Sequence, residues 1–259
     1  MIGAAVGDII GSPYEFVQTA VKKKDFPLFG AKSRFTDDTV MTAAVAEGLL
    51  KGYKNEKASR REVILSMRRL GREYPGAGYG RKFKEWLESD VPRPYGSLGN
   101  GSAMRVSSAA WIYDTLEEAE KYAQISAEVT HNHPEGIKGA CAAAAAVFLA
   151  RKKFSKKEIK KYISEKYGYD LHRGCDDIRA AYRWNALCAG TVPEAIISFL
   201  DGEDFEDTVR NAVSLGGDSD TLAAIAGSVA EGYYGVPDKL RTAACSIIDE
   251  KLLKILESI

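Results

Sequence analysis

The sequence has few cysteines and no apolar run long enough to cross a membrane. Its four cysteines, among 259 residues, are widely spaced and form no CxxC pair. A structural zinc site is therefore not indicated, and we expect a reduced, cytoplasmic protein. No segment approaches the roughly 18 uninterrupted apolar residues of a membrane-spanning helix. The first ten residues are apolar, but they lack a basic segment and include Asp8, which argues against a signal peptide.

Neither sign of charge is in excess. The 36 basic residues balance the 36 acidic ones, which argues against the electrostatic footprint of a nucleic-acid-binding protein. Local basic runs at 22–24 and 151–161 are explained by solvated faces of helices or loops. Because 45% of the residues are apolar, the chain can form a sizeable globular core.

Runs of alternating, β-branched residues long enough for a sheet are also missing. Apolar residues recur instead at helical spacing, for example within 59–72. Gly3, Gly7 and Gly11 recur every four residues, which would place three glycines on one helix face and allow another helix to approach closely. We therefore predict a single all-α domain over residues 1–259.

The predicted helices cover most of the chain. One of them begins at Pro134 and includes the alanine-rich stretch 139–150. The others are predicted at 2–11, 37–51, 59–72, 81–89, 99–113, 116–129, 156–166, 175–189, 193–200, 205–214, 218–234 and 237–258.

Two acidic pairs stand at the starts of alanine-rich helices about 180 residues apart. In the stretch FTDDT, Thr36 is the predicted N-cap, and Asp37 and Asp38 lie in the first turn, where free backbone N–H groups favour negative charge. The stretch GGDSDT opens a second helix with Asp218 and Asp220. Either stretch alone could be a good helix start and nothing more. If they meet, four carboxylates share one site, which then needs protons or cations.

Oxygen-only ligands of this kind are hard donors, so the cation would be Mg²⁺, Mn²⁺ or Ca²⁺ rather than zinc. Glu15 is a further candidate, because it stands between apolar neighbours such as Tyr14 and Phe16. An ordinary surface glutamate is the alternative for that position.

Two glycine-rich turns and a histidine turn offer ligand contacts. Glycines at 76–80 and 99–101 permit close backbone approach, and the second turn precedes a helix whose N-terminus would favour an anion. Ordinary turn and cap geometry is the alternative for both. For His131 and His133, a hydrogen bond to a ligand is favoured over shared metal coordination.

Five stretches together resemble the ADP-ribosylglycohydrolase family in order and spacing. They are GDIIGSPYE at 7–15, FTDDT at 35–39, GNGSAMR at 99–105, TH at 130–131 and GGDSDT at 216–221. The family includes the enzyme that removes ADP-ribose from dinitrogenase reductase and the protein-ADP-ribose hydrolases of animals. The resemblance extends from residue 2 to about residue 235.

The resemblance implies an orthogonal all-α domain with two divalent cations, Mg²⁺ or Mn²⁺, in a cleft. The implied metal ligands are Thr36, Asp37, Asp38, Asp218, Asp220 and Thr221. Glu15 and Asp37 take catalytic roles beside the metals. The implied contacts to ADP-ribose are Gly78, Tyr79, Gly80, Gly99, Asn100, Gly101, Ser102 and His131. Tyr79 and Tyr95 are candidates for stacking on adenine.

We therefore predict a metal-dependent hydrolase that cleaves the N- or O-glycosidic bond between ADP-ribose and an acceptor. The expected partner is an ADP-ribosylated protein or an ADP-ribose derivative. Glu15 would accept a proton from water or protonate the leaving group. No serine or cysteine nucleophile is indicated, since the sequence has no GxSxG elbow and no cysteine beside a histidine. The alternatives are a binuclear-metal phosphohydrolase acting on nucleotides and a catalytically silent ADP-ribose-binding protein.

Overall fold

The computed structural model of the chain describes residues 1–16 and 19–259. Within these residues the chain forms α-helices and no β-strand, apart from one isolated antiparallel bridge between Gly99 and Leu187. The predicted all-α class is thus confirmed. The helices are α1 (Gly3–Gly11), α2 (Asp37–Lys51), α3 (Glu56–Glu73), α4 (Arg81–Glu88), α5 (Gly101–Met104), α6 (Ser107–Ile112), α7 (Leu116–Glu128), α8 (Pro134–Arg151), α9 (Lys156–Tyr167), α10 (Cys175–Arg179), α11 (Cys188–Asp201), α12 (Phe205–Ser214), α13 (Ser219–Tyr234), α14 (Asp238–Cys245) and α15 (Glu250–Glu257).

Two long predicted helices are each divided in the structure. The helix expected at 99–113 is two short helices, α5 and α6, because Arg105 leaves the helical conformation with φ −100° and ψ 0°. The helix expected at 237–258 is α14 and α15. Asp249 accepts a hydrogen bond from the backbone N–H of Lys251 and so caps α15 as a separate helix.

The region 175–200 also differs from the prediction. α10 ends at Arg179, and the chain at Ala186 then pairs with the loop before α5, where the N–H of Asn100 donates to the Ala186 carbonyl at 2.8 Å. These long-range bonds replace the helix that we expected to continue to residue 189. α11 begins at Cys188, not at Pro193, and carries that proline inside it.

The glycine face of α1 packs directly on α13. A Cβ at Gly7 would lie 2.0 Å from the carbonyl oxygen of Ala223, and one at Gly11 would lie 2.4 Å from that of Ser219. The two backbones therefore touch, which confirms the predicted close contact. The paired residues fall in number along α13 as they rise along α1, so the helices are antiparallel. The end of α1 consequently lies beside the start of α13.

Asp8 fastens the same helix to the start of α2. Its carboxylate is fully buried and accepts hydrogen bonds from the backbone N–H groups of Thr36 and Thr39, at 2.9 and 3.1 Å, and from both threonine hydroxyls. α1 therefore positions both acidic helix starts. The start of α13 is held by backbone packing, and the start of α2 is held by hydrogen bonds to Asp8.

The centre of the fold is α13, whose residues from Ser219 to Gly232 are all buried. It packs against α1, α8, α11 and α12. None of the helices in the described parts of the chain combines the length and the apolar character required to span a membrane.

Candidate active site

A cleft of about 450 Å³ opens where the two acidic helix starts meet. This volume is within the usual range for small-molecule sites. The acidic part of the lining consists of Glu15, Asp37, Asp38, Asp218 and Asp220, with Thr221 beside them.

The carboxylates of the cleft approach one another closely. Glu15, Asp218 and Asp220 each offer a ligand oxygen, and these three atoms lie within 4.8 Å of one another. The start of α2 joins this group, because the hydroxyl of Thr221 donates to Oδ2 of Asp38 at 3.2 Å. The structure thus brings together residues that are about 180 positions apart in the sequence.

Burial and mutual repulsion disfavour the charged forms of these groups. Burial and the charge of Asp218 raise the pKa of Glu15 to about 7. Burial and the charge of Asp8 raise the pKa of Asp37 to about 7. A group of carboxylates at this density needs protons or cations to offset its charge.

The donor set fits a hard divalent cation. Burial, followed by neighbouring carboxylates, raises the pKa values of Asp38 and Asp220 well above their usual range. Oδ1 of Asp38 is buried and has no hydrogen-bond partner in residues 1–16 and 19–259. An unpartnered buried carboxylate oxygen is costly unless a ligand satisfies it. The acidic cluster could therefore hold a metal ion, and its oxygen ligands favour Mg²⁺, Mn²⁺ or Ca²⁺.

Two predicted site residues bind other protein groups. Thr36 lies outside the cleft lining; its hydroxyl donates to Asp8 at 2.7 Å and accepts from the N–H of Asp38 at 3.3 Å, as expected of an N-cap. Asn100 lines the cleft, and its Nδ2 donates to Asp218 at 2.7 Å and to Thr191 at 3.2 Å. Asn100 thus orients one of the carboxylates.

Four glycines of the two glycine-rich loops line the cleft, but the side chains of two neighbouring residues do not. Gly78, Gly80, Gly99 and Gly101 belong to the lining. The side chain of Tyr79 is in the core, with its ring centroid 5.4 Å from that of Phe83. The hydroxyl of Ser102 donates to the Gly136 carbonyl at 2.7 Å and so fastens α5 to α8. Neither side chain is therefore available to ADP-ribose, and Tyr79 is not a stacking surface for adenine.

The helix that follows the second glycine loop is only four residues long. Its dipole consequently gives little support to the anion site that we expected from a helix running to residue 113.

Of the two histidines, only His131 lines the cleft. It is buried, with its ring centroid 6.0 Å from that of Tyr95, which also lines the cleft. Burial, together with the nearby charge of Arg105, holds the pKa of His131 well below its usual range. His133 instead caps α8 by accepting a hydrogen bond from the N–H of Glu135.

The structure adds three residues that the sequence did not single out. Asp8 had a usable signature, namely a lone carboxylate in an apolar helix. Arg105 stands inside the glycine-rich motif, but its fully buried position follows only from the fold. Trp184 lines the cleft and is half exposed, in the segment that we expected to be helical up to residue 189.

The chain is similar to known proteins over nearly its whole length. The family model described as ADP-ribosylglycohydrolase matches residues 1–256. ADP-ribosylhydrolase ARH3 of Gallus gallus is 29% identical over an alignment that covers 91% of this chain and 84% of that protein. ADP-ribosyl-[dinitrogen reductase] glycohydrolase of Rhodospirillum rubrum is 25% identical, with 92% of this chain and 85% of that protein covered.

A solved structure supports the fold. The ADP-ribosylglycohydrolase-related protein complex aligns with a TM-score of 0.69 at 24% identity, and the alignment covers 98% of this chain and 93% of that one. The whole-chain family match confirms the resemblance found in the sequence motifs. The chain belongs to the ADP-ribosylglycohydrolase family.

Proposed function

We propose that the protein is a metal-dependent hydrolase of the glycosidic bond between ADP-ribose and an acceptor, with a protein side chain as the acceptor. The observation that carries this proposal is the convergence of Glu15 with Asp218 and Asp220 in a cleft of suitable size. The names of the related proteins support the reaction class.

We propose that two Mg²⁺ or Mn²⁺ ions are held by Asp37, Asp38, Asp218, Asp220 and Thr221. Thr36 would support this site as the N-cap that places Asp37 and Asp38, since its hydroxyl is hydrogen-bonded to Asp8 and to the N–H of Asp38. When bound, such ions would offset the carboxylate charge, lower the pKa of a water molecule and hold sugar hydroxyls in place. Asn100 contributes by fixing Asp218, and Asp8 contributes by fixing the start of α2.

Glu15 is the proposed general base. It follows the short 3₁₀ helix Ser12–Tyr14, which continues from α1. It is the one half-buried member of the three-carboxylate group, so it remains accessible from the cleft. Glu15 would take a proton from a water molecule that attacks the anomeric carbon. The bond from that carbon to the acceptor nitrogen or oxygen then breaks, and the departing atom takes up the proton from Glu15. The glycine loops and His131 would hold the rest of ADP-ribose.

The chain is shorter than the region of the relatives to which it aligns. The alignment with the Gallus gallus protein extends over 315 residues, which exceeds the 259 residues of this chain, so that protein carries inserted segments. We propose that the acceptor protein binds at the rim of the cleft, beside the half-exposed Trp184.

We propose that residues 1–259 form one ADP-ribosylglycohydrolase-like domain, since the family model matches nearly all of them. A cytoplasmic location is also proposed. All four cysteines are free thiols in the structure, as expected in a reducing compartment.

A panel of linkages tests the activity. Peptides mono-ADP-ribosylated on arginine or on serine are incubated with the protein in Mg²⁺ or Mn²⁺, and released ADP-ribose is measured. Glu15→Gln should abolish release while retaining metal binding, whereas Glu128→Gln, which removes a carboxylate paired with Arg60 outside the cleft, should behave as wild type.

The products separate the proposal from its alternatives. Intact ADP-ribose is expected, and release of AMP or inorganic phosphate would identify a phosphohydrolase. Tight binding of ADP-ribose without turnover would identify a silent binding protein. Absence of ADP-ribose release from every linkage, with metal shown to be bound, would falsify the proposed activity.

A further inference from the structure

Arg105, Thr130 and His131 form a chain of hydrogen bonds that ends at the cleft. Nη2 of Arg105 donates to Oγ1 of Thr130 at 2.8 Å, and the same oxygen lies 2.7 Å from Nδ1 of His131. All three residues are buried, with at most 5% of each exposed. Arg105 and His131 also line the cleft.

The direction of these hydrogen bonds follows from which groups carry protons. A guanidinium only donates, so Thr130 Oγ1 accepts from Arg105. The hydroxyl proton of Thr130 then needs an acceptor, and among the described residues Nδ1 of His131 is the one within reach. If Nδ1 carried a proton, a fully buried hydroxyl would have no acceptor, which protein interiors rarely tolerate.

These constraints leave the imidazole neutral, with its proton on Nε2. A second ring proton would add a positive charge beside Arg105, in a place that is already buried. Nε2 makes no hydrogen bond within the part of the chain that the structure describes. It faces the second glycine loop, where a Cβ at Gly101 would lie only 3.2 Å from it. Glycine at that position keeps the nitrogen accessible.

We propose that Arg105 and Thr130 are positioning residues that fix His131 in one tautomer and one ring orientation, so that Nε2–H donates to an oxygen of the ligand. Thr130 is the only described hydrogen-bond partner of the Arg105 guanidinium, and Nε of Arg105 has none. The charge of Arg105 is therefore not offset by a hydrogen-bonded carboxylate and favours an anionic oxygen, as in a phosphate. The assignment of this oxygen to the diphosphate of ADP-ribose rests on the proposed function. The assignment of the His131 tautomer rests only on the hydrogen bonds and does not depend on that function.

NMR of the full chain labelled with ¹⁵N-histidine tests the tautomer without any ligand. The chain has three histidines, which makes assignment practical. In wild type and in Thr130→Ser, Nδ1 should resonate as an unprotonated ring nitrogen and Nε2 as a protonated one. Thr130→Val removes the hydroxyl and keeps the shape, and both resonances should move toward the averaged values of exchanging tautomers.

Thr208→Val is the matched control, because it removes another fully buried hydroxyl, which donates to the Asp204 carbonyl at 2.8 Å away from the cleft. It should leave the His131 resonances unchanged. A proton on Nδ1 or a mixture of tautomers in wild type would overturn the proposal, even if Thr130→Val did not fold. Resonances that Thr130→Val left unmoved would overturn it as well.

Calorimetry with ADP-ribose tests the donor role. Thr130→Val should weaken binding by about two- to tenfold, the worth of one hydrogen bond, while Thr130→Ser and Thr208→Val should bind as wild type. Undiminished binding by Thr130→Val, with the tautomer lost, would overturn the role of Nε2. If wild type bound no ADP-ribose while the NMR result held, the proposed function would fail and the positioning of His131 would stand.

Discussion

Replacing Gly7 with alanine should separate the two helices on which the active site depends. A Cβ at this position would lie 2.0 Å from the carbonyl oxygen of Ala223, and ordinary contact begins at 3.4 Å, so α1 and α13 would have to move apart by about 1.4 Å. The neighbouring atoms are backbone, which no change of rotamer can move aside.

Overpacking in a core costs about 1–3 kcal/mol and more where backbone must shift, so we expect a loss of about 3 kcal/mol from Gly7→Ala. In a protein of this size each kcal/mol lowers Tm by about 2–4 °C, which gives a fall of about 6–12 °C. Thermal unfolding followed by circular dichroism measures it. Below the transition, Mn²⁺ affinity should also fall, because α1 holds the starts of α2 and α13 together and these two helix starts carry the proposed metal ligands.

Gly30→Ala is the matched control for this substitution. A Cβ at residue 30 meets no atom within 4 Å, and the φ angle of Gly30 is not positive. The same change should therefore leave Tm unchanged or slightly higher. If Gly7→Ala and Gly30→Ala had the same Tm, the backbone contact between α1 and α13 would be refuted. The proposed assembly of the site by α1 would then fail as well.

Three further predictions concern Asp8, which fastens α1 to α2, the ion-paired Glu47 and the metal. Asp8→Ala should lower the free energy of unfolding by about 4 kcal/mol, because two buried backbone N–H groups at the start of α2 lose their acceptor. A urea titration measures this loss, and a loss below about 1 kcal/mol would contradict the prediction. Burial acts to raise the pKa of Glu47. Hydrogen bonds from Ser66 and two basic residues outweigh burial and lower this pKa from 4.5 to about 2. This stabilisation is complete above about pH 4.5 and is lost as the pH falls through about 2, so the gap in urea midpoint between wild type and Glu47→Gln should narrow from about pH 6 to pH 3. Mn²⁺ at about 100 times its Kd should stabilise wild type by about 2.7 kcal/mol, reversibly with EDTA, and an equal gain in Asp220→Asn would count against the site.

Local patterns in the sequence predicted the parts of the site that single helices build. Thr36 is the N-cap of α2 with two aspartates in the first turn, as the cap preferences indicated. The four-residue spacing of Gly3, Gly7 and Gly11 predicted the face that packs on α13. These features depend on neighbours within one or two helical turns, which is the range that periodicity and capping describe.

Features that depend on distant partners could not be predicted in the same way. Asp8 binds residues 28 and 31 positions away, and no spacing rule connects them. The segment that contains Trp184 is held by pairing with the loop before α5, so its helical pattern was misleading. Ser102 illustrates the converse case, because a residue inside a ligand-binding motif uses its hydroxyl to fasten two helices together.

Anomalous diffraction at the manganese edge, from crystals grown with Mn²⁺, would show whether the two acidic helix starts form a metal site. We predict two anomalous peaks between the starts of α2 and α13, within bonding distance of the Asp38 and Asp218 carboxylates. Peaks elsewhere, or none at that position in crystals shown to contain manganese, would contradict this prediction.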